Sequence, residues 1–242
     1  MKKETAKSLI CQNIQTYNQI AEHFCQKRKF LTQDLVKLSP LIKPGERVLD
    51  VGCANGRFCE LVFQRKAKYW GIDVSEKMIS IARRRYPQAK FFVSDPLSFP
   101  FGKNFFDKVF CLSVFHHIPS KEFRIKFLQE VRRVLKPGGL IILTVWNLGK
   151  KRKIKNLLFK YTLKKLFGKS DLDFGDLFLP WKNEKGKILT LRYFHVFSKK
   201  ELVSLVREAG FEIRKSGLLE RSRRESNIFV IAQKPRETNR RP

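Results

Sequence analysis

The stretch Val48-Leu49-Asp50-Val51-Gly52-Cys53-Ala54-Asn55-Gly56 is an apolar strand that ends in a turn of small residues. Gly52 and Gly56 allow the backbone to turn sharply and to approach a ligand that a Cβ would obstruct. The next residues, Arg57-Phe58-Cys59-Glu60-Leu61-Val62, begin a helix. The dinucleotide fingerprint G-x-G-x-x-G is not met, because Ala54 stands at its middle glycine. The pattern therefore predicts a loop for an adenosine-type cofactor other than NAD.

Strands and helices are predicted to alternate from Pro44-Gly45 to Trp146, which indicates a parallel sheet with right-handed crossovers. Before this region, residues 5–38 carry apolar side chains at helical spacing. After it, residues 198–231 predict a helix followed by two strands, with Ser198 as the helix cap. We expect an α/β fold with a doubly wound, mostly parallel, Rossmann-like sheet, an N-terminal helix and an inserted basic helical segment.

The chain of 242 residues, 43% of them apolar, is long enough for one sizeable core. We expect a single domain over residues 1–242. Its predicted parts are a helical cap (1–44), a cofactor-binding core (45–147), a basic insertion that faces the substrate (148–197), a helix and strands that complete the sheet (198–234) and a basic tail (235–242).

The charge is strongly positive, since 51 Lys and Arg residues outnumber 22 Asp and Glu residues and the formal net charge is +29. Self-repulsion of this size usually accompanies a polyanionic partner. Nucleic acid is the first candidate and an anionic membrane surface the second.

The five cysteines form no CxxC pair. They indicate reduced thiols in a cytosolic protein and no metal site. The N-terminus lacks the apolar run of a signal peptide, and the longest apolar run is too short to cross a bilayer. We therefore expect a soluble protein in the cytoplasm.

The segment from Lys150 to Lys169 holds nine Lys or Arg residues and no acid, interleaved with apolar residues at helical spacing. It predicts a basic amphipathic helix. Three interpretations stay open: a clamp on an RNA backbone, a helix on a membrane surface, or an ordinary surface helix of a basic protein. Under the first interpretation, the residues expected to contact RNA are Lys150, Lys151, Arg152 and Lys153.

The chain resembles the class I S-adenosylmethionine-dependent methyltransferases over about 100 residues. Beyond the glycine turn, the similar segments are Trp70-Gly71-Ile72-Asp73, Phe91-Phe92-Val93-Ser94-Asp95, Phe106-Asp107-Lys108-Val109-Phe110-Cys111-Leu112-Ser113 and Val134-Leu135-Lys136-Pro137-Gly138-Gly139. The resemblance implies that S-adenosylmethionine is the cofactor, with Asp73 on the ribose and Asp95 on the adenine. Taken singly, either acid is equally well explained as a helix cap or a turn residue. The implied cofactor residues are Asp50, Gly52, Cys53, Ala54, Gly56, Asp73, Val74, Asp95, Pro96 and Ser113.

Two later segments, Gly175-Asp176-Leu177-Phe178-Leu179-Pro180-Trp181 and Arg192-Tyr193-Phe194-His195-Val196-Phe197, resemble a narrower group, the tRNA wobble-uridine carboxymethyl methyltransferases. The resemblance implies methyl transfer to the carboxylate of 5-carboxymethyluridine in tRNA, and a small zinc-binding activator subunit as a further partner. One departure is that Asn227 is followed by Ile228 where the group carries tryptophan. A stacking surface for a base is therefore expected to be missing.

Arginine binds carboxylates through two parallel hydrogen bonds, so Arg28 and Arg192 are candidates for holding the substrate. His116 and His195 are candidates for orienting the carboxylate or the uracil. Two plainer alternatives stay open: a backbone hydrogen bond for His116, which follows the fourth strand, and a phosphate contact for Arg192. The remaining substrate candidates are Asp176, Trp181, Tyr193 and Asn227. Asp176 is expected to hold one of the two arginines or to cap a turn, and core packing is the alternative for Trp181 and Tyr193.

Two other functions stay open from the sequence. One is a methyltransferase of small quinone or lipid precursors, because the core motifs are shared with such enzymes. The other is a non-catalytic RNA-binding module that keeps the fold as a scaffold.

Overall fold

The computed structural model describes residues 1–28, 30–222 and 225–236. The side chain of Lys150 and residues 237–242, which belong to the predicted basic tail, lie outside this description.

A seven-stranded sheet in the order β3-β2-β1-β4-β5-β9-β8 forms the centre of the fold. The first five strands run parallel, and β9 pairs antiparallel with both β5 and β8. The predicted α/β fold with a mostly parallel, doubly wound sheet is confirmed. The strands are β1 (Arg47–Val51), β2 (Lys68–Asp73), β3 (Lys90–Val93), β4 (Phe106–Leu112), β5 (Leu135–Trp146), β8 (Glu212–Ser222) and β9 (Glu225–Gln233).

Helices cover both faces of the sheet. Successive side chains of each central strand point to opposite faces, so each strand contributes to the core on both sides. In β1, Leu49 and Val51 join a core cluster packed against the helices of one face, while Val48 joins the cluster of the other face. The central strands therefore consist almost entirely of buried apolar residues, as buried parallel strands require. The helices are α1 (Lys3–Lys27), α2 (Gln33–Leu38), α3 (Cys59–Gln64), α4 (Glu76–Arg85), α5 (Lys121–Val134), α6 (Arg152–Leu166) and α7 (Lys199–Glu208).

The N-terminal helical region differs from its prediction, since the structure has two helices where one stretch over 5–38 was expected. The first helix ends at Lys27, and the next residue, Arg28, leaves the helical region with a φ of −123° and a ψ of 44°. The carbonyl of Arg28 instead accepts hydrogen bonds from the side chains of Asn55 (3.1 Å) and Arg57 (3.1 Å). A contact distant in sequence thus ends a helix whose local pattern continues.

The basic insertion contains α6 and a separate antiparallel hairpin, β6 (Asp176–Lys182) with β7 (Ile188–His195). The sequence predicted the helix but not the hairpin. The buried face of α6 packs Ile154 against Leu177 and Phe194 of the hairpin. In the described part of the chain, no helix combines the length and apolarity needed to cross a bilayer.

Candidate functional site

An open cleft lies at the carboxyl ends of the parallel strands, where β1 separates the β2 and β4 sides of the sheet. In doubly wound sheets this is the place where ligands bind. The cleft encloses about 1420 Å³ of space, part of it open to solvent. All predicted cofactor residues except Gly56 line it, together with residues of α1 and of the hairpin.

Asp73, at the end of β2, holds the glycine turn in position. Its Oδ2 accepts the N–H of Ala54 (2.9 Å), and its Oδ1 accepts the N–H of Ser75 (2.9 Å). Ala54 has a φ of 49°, which costs free energy for any residue with a Cβ, so this hydrogen bond stabilises a strained turn. Burial raises the pKa of Asp73, and the backbone donors oppose that rise. Each carboxylate oxygen keeps a lone pair for a ligand.

Asp50, the penultimate residue of β1, is a second acid in the cleft. It is 3% exposed and accepts a hydrogen bond from the hydroxyl of Tyr69 (2.9 Å). Burial raises the pKa of Asp50 to about 7, an effect that the Tyr69 hydrogen bond opposes. Near neutral pH this group therefore accepts or releases a proton readily.

Gly52 and Gly56 have different roles. Gly52 lines the cleft, whereas Gly56 lies behind the turn, so the expected cofactor contact of Gly56 is corrected. A Cβ on Gly56 would lie 2.6 Å from the Phe91 ring, and its φ of 76° is in the left-handed region. Glycine is required there for packing beneath the turn rather than for approach of a ligand.

Asp95 follows β3 at the rim of the cleft, beside Pro96. It is exposed, and its Oδ1 accepts the N–H of Leu97 (2.6 Å), as a turn-capping acid does. Ser113 lines the opposite wall, where its N–H donates to the carbonyl (3.0 Å) and the hydroxyl (3.0 Å) of Thr144.

Residues 49–143 match a protein family described as "Methyltransferase domain". Over this segment the chain is similar to the class I S-adenosylmethionine-dependent methyltransferases. S-adenosylmethionine is its methyl donor. The site fits this cofactor, because Asp73 has free acceptor positions beside a glycine turn, in a cleft at the carboxyl ends of the parallel strands.

Two curated relatives carry the same printed function. The tRNA (carboxymethyluridine(34)-5-O)-methyltransferase of Schizosaccharomyces pombe is 29% identical over 91% of this chain and 95% of its own length. The mouse (Mus musculus) tRNA (carboxymethyluridine(34)-5-O)-methyltransferase ALKBH8 is 33% identical over 66% of this chain. The match spans only 23% of the length of the mouse relative.

Two solved structures share the fold of this methyltransferase. A SAM-dependent methyltransferase from Methanosarcina mazei has a TM-score of 0.70 at 22% identity, covering 83% of this chain and 98% of that chain. A Haloferax volcanii methyltransferase in complex with the Trm112 activator has a TM-score of 0.65 at 16% identity, covering 93% and 97% respectively.

The histidine at the cleft of the methyltransferase is His117 rather than the predicted His116. Its Nδ1–H donates to the carbonyl of Tyr193 (2.8 Å), which fixes the tautomer, so Nε2 accepts the hydroxyl of Tyr17 (2.7 Å). Burial lowers the pKa of His117 to about 3. His117 is therefore neutral and holds Tyr17 against the cleft.

His116 points away from the cleft and is 1% exposed. Its ring stacks on Phe194 at 4.9 Å, and neither ring nitrogen has a hydrogen-bond partner within the described residues. Burial lowers the pKa of His116 well below its usual range. The predicted catalytic role of His116 is corrected to packing behind the site.

Arg192 lines the cleft although it is only 6% exposed. Its guanidinium lies 4.7 Å from the ring centroid of Trp181 and 5.0 Å from that of Phe194. Its Nε–H lacks a partner among the described residues. Trp181 is not on the cleft surface, since it stacks on Phe24 and supports Arg192 from behind. A buried cation with a free donor is thereby presented to the cleft.

The other residues of the second motif form a separate buried network. His195 lies between two carboxylates, with Nδ1 2.7 Å from Asp176 and Nε2 2.7 Å from Glu201. The ring is thereby held between the hairpin and α7, with a carboxylate oxygen within hydrogen-bond distance of each ring nitrogen. Asp176 also accepts from the Tyr193 hydroxyl (2.7 Å) and pairs with Arg124 (3.3 Å).

This network lies outside the cleft lining, so the expected substrate or catalytic roles of His195, Tyr193 and Asp176 are corrected. The reason is the alternation of β7: Arg192 and Phe194 face one side, and Tyr193 and His195 face the other. The arginine that Asp176 pairs with is Arg124 of α5, rather than Arg28 or Arg192, one of which it was expected to hold.

Asn227 is buried and donates to Asp34 (2.9 Å), which lines the cleft, while Asn227 itself does not. The next residue, Ile228, is 3% exposed on the opposite face of the sheet. The aromatic surface in the cleft comes instead from Trp146, the cross-strand partner of Asn227.

Sequence reasoning predicted Arg28 in the cleft, where the structure also places it. It selected His116, whereas its neighbour His117 lines the cleft, and it missed Arg57, Trp146 and Arg221, which also line the cleft. For Arg57, the one available signal was its position next to the glycine turn. Of the predicted RNA contacts, Lys151 pairs with Glu225 (2.8 Å), and Arg152 and Lys153 are exposed at the start of α6.

Asp176→Ala is expected to destabilise the fold by about 3–5 kcal/mol, because it leaves the buried Arg124 without its ion-pair partner and removes the hydrogen-bond partner of Tyr193 and His195. Urea unfolding at neutral pH measures the effect. Asp171→Ala, which removes an exposed acid of the same segment, is the control and should change stability by less than about 0.5 kcal/mol. If the Asp176→Ala protein is as stable as the wild type but no longer binds substrate, Asp176 has a role in substrate binding rather than in stability.

Proposed function

We propose that this methyltransferase transfers a methyl group to the carboxylate of 5-carboxymethyluridine at the wobble position of tRNA. The observation that carries the proposal is a group of arginines that line the cleft without forming ion pairs within the described residues. In the described part of the chain, Arg28, Arg57 and Arg192 line the cleft and form no ion pair. Burial and the charges of Arg221 and Arg57 lower the pKa of Arg28 to about 10. An anionic substrate relieves this repulsion.

The printed function of the Schizosaccharomyces pombe relative, which aligns over nearly its whole length, supports the same reaction. The net charge of +29 supports a polyanionic substrate over a small quinone or lipid precursor.

The residues proposed to hold S-adenosylmethionine are those around the turn. Asp73 has one free acceptor position on each oxygen for ribose hydroxyls, and Asp95 with Pro96 forms the rim for the adenine. Gly52 and Ser113 provide close backbone approach on either side. When bound, this cofactor supplies an electrophilic methyl group carried on a positively charged sulfur.

The acceptor needs alignment more than proton transfer, since a carboxylic acid with a pKa of about 4 is already ionised at neutral pH. This agrees with the histidines of the site: His117 is neutral and is committed to Tyr17 and to a backbone carbonyl. Arg192 orients the carboxylate through its planar donors. Phe24, Trp146 and Tyr17 line the cleft and limit the access of water, which favours a step in which opposite charges are neutralised.

The RNA surface is proposed to include α6. Its exposed side carries Lys153, Lys160 and Lys164 for phosphates. The rings of Phe159 and Phe167 are 64% and 73% exposed beside these lysines. Single-stranded loops are recognised by this combination of cations and rings that stack on unpaired bases. The anticodon loop is such a substrate, and we place the protein in the cytoplasm with its tRNA.

A small activator subunit is proposed to cover the β3 edge of the sheet. β3 pairs only with β2 within the described residues, and its Phe92 and Val93 are 37% and 44% exposed. An open strand edge with apolar side chains is a site for a protein partner. The likeness to a methyltransferase solved with Trm112 supports a partner of that type, and zinc binding by it is part of the proposal.

The reaction is tested by incubating the protein with S-adenosylmethionine and tRNA that carries 5-carboxymethyluridine, followed by mass spectrometry of the nucleosides. We expect the methyl ester at the wobble uridine. Arg192→Ala should lower transfer by about tenfold or more while cofactor affinity stays nearly unchanged, and Asp73→Ala should weaken cofactor binding by a similar factor. No methylated wobble uridine with the wild-type protein and its activator contradicts the proposal, and equal losses of cofactor affinity in both variants contradict the division of roles.

The role of α6 is tested by replacing Lys153, Lys160 and Lys164 with glutamine and measuring tRNA affinity between about 50 and about 200 mM salt. Binding should weaken, and the slope of log K against log salt should fall by roughly 2–3 because fewer counterions are released. The control replaces Lys43, Lys66 and Lys68, which are exposed near the amino ends of β1 and β2, away from the cleft. Equal losses in both triple variants would rule out a specific α6 contact.

The activator edge is tested with Phe92→Glu and a Trm112-type protein from the same organism. The partner should raise the midpoint of thermal unfolding of the wild-type chain by several degrees, and the variant should lose this rise, because binding to the native state alone stabilises it. Leu218→Glu on β8, the opposite edge strand, is the matched control at 50% exposure. A rise that survives Phe92→Glu but not Leu218→Glu places the partner on the other edge.

A further inference from the structure

Trp146 brings two arginines together on one wall of the cleft. The Arg192 guanidinium lies 5.7 Å from the Trp146 ring centroid and the Arg221 guanidinium 5.6 Å from it. The three residues come from β7, β5 and β8, and all three line the cleft. Two buried donors here, the indole Nε1–H of Trp146 and the Nε–H of Arg192, have no hydrogen-bond partner within the described residues. Unpaired buried donors at a ligand site indicate acceptors that arrive with the ligand.

The charge of Arg221 is only partly balanced. Within the described residues its acid partner is Glu225, at 3.9 Å, and Glu225 is already paired with Lys151 at 2.8 Å. The Arg221 side chain is only 13% exposed, so solvent screens it weakly. Its positive charge also lowers the pKa of Arg28 and of Arg57, after burial the largest cause for both. This wall therefore has an excess of positive charge that a single anionic group at Arg192 and Arg221 would offset.

We infer that Arg221 and Trp146, with Arg192, form the subsite that holds the uracil-borne carboxylate and distinguishes it from the neutral amide. The inference rests on the proposed function. A carboxylate has about four lone-pair positions, enough to accept from two guanidinium groups and the indole N–H together. A carboxamide presents its own N–H₂ donors to these donors, which leaves buried groups unpaired.

The test measures the affinities of three anticodon stem-loops that differ only at the wobble base: 5-carboxymethyluridine, 5-carbamoylmethyluridine and unmodified uridine. S-adenosylhomocysteine is present so that no turnover occurs. The wild-type protein should bind the carboxylate form about tenfold or more tightly than the amide form. Arg221→Gln should reduce this preference to about two- to threefold while affinity for the unmodified loop and for the cofactor product stays within about twofold.

Arg214→Gln is the matched control, because it removes one charge from the same strand, where Arg214 is 52% exposed and paired with Glu212. It should keep the full preference. Trp146→Phe retains a ring and removes the indole N–H, and should lower the preference by a smaller factor of about three. Arg221→Lys provides a charged variant if Arg221→Gln folds poorly, and it should give an intermediate preference because the planar fork is lost.

The outcomes separate the two proposals. A full carboxylate preference in folded Arg221→Gln and Trp146→Phe overturns the subsite and leaves the proposed reaction standing. No carboxylate preference in the wild-type protein, together with no methyl ester in the nucleoside assay, overturns the proposed function and the subsite with it.

Discussion

The hydrogen bond between the Asp73 carboxylate and the N–H of Ala54 is the constraint on which the site depends. It joins the end of β2 to the turn after β1 and holds a residue other than glycine at a φ of 49°. The same carboxylate accepts the N–H of Ser75, at the start of α4. One side chain therefore sets the distance between two strand ends and the helix behind them. The cleft keeps its shape because this half-buried acid accepts a backbone hydrogen bond on each of its two oxygens.

The walls of the cleft depend on aromatic support of buried cations. Arg192 is held by Trp181 and Phe194, and Trp146 lies against both Arg192 and Arg221. Rings stabilise a guanidinium without consuming its donors, since the attraction is to the π-face. A carboxylate partner would neutralise the same charge and close the site. This arrangement keeps arginine donors free for an anionic substrate while the side chains stay in fixed positions.

The buried network around Asp176 has a structural role beside this site. Asp176 joins Arg124 of α5 with Tyr193 and His195 of the hairpin, and Glu201 of α7 completes the set. It fixes the hairpin that carries Arg192 onto the body of the protein. A buried ion pair such as Arg124–Asp176 fixes the orientation of the elements it joins more than it adds to the net stability of the fold. The motif Arg192-Tyr193-Phe194-His195 thus divides by strand alternation: one side faces the cleft, and the other anchors the hairpin.

The sequence by itself determined the α/β fold, the class of enzyme and most of the cofactor loop. These depend on local patterns: apolar strands, a glycine turn and acids at strand ends, all within about 100 residues. It also identified Arg28 and Arg192, through a resemblance. The break of the first helical stretch at Arg28 was not predictable, because the side chains of Asn55 and Arg57 bind the carbonyl that would have continued the helix.

Only the tertiary structure decided which candidates reach the cleft. His116 and His117 are neighbours, yet a short turn of helix directs one into the core and the other towards Tyr17. Trp146 and Arg221 lie 75 positions apart and meet because β5, β9 and β8 are adjacent in the sheet. Side-chain direction and strand adjacency are set by packing across the whole molecule, so they are absent from any local stretch of sequence, whereas strand, turn and helix preferences are contained in it.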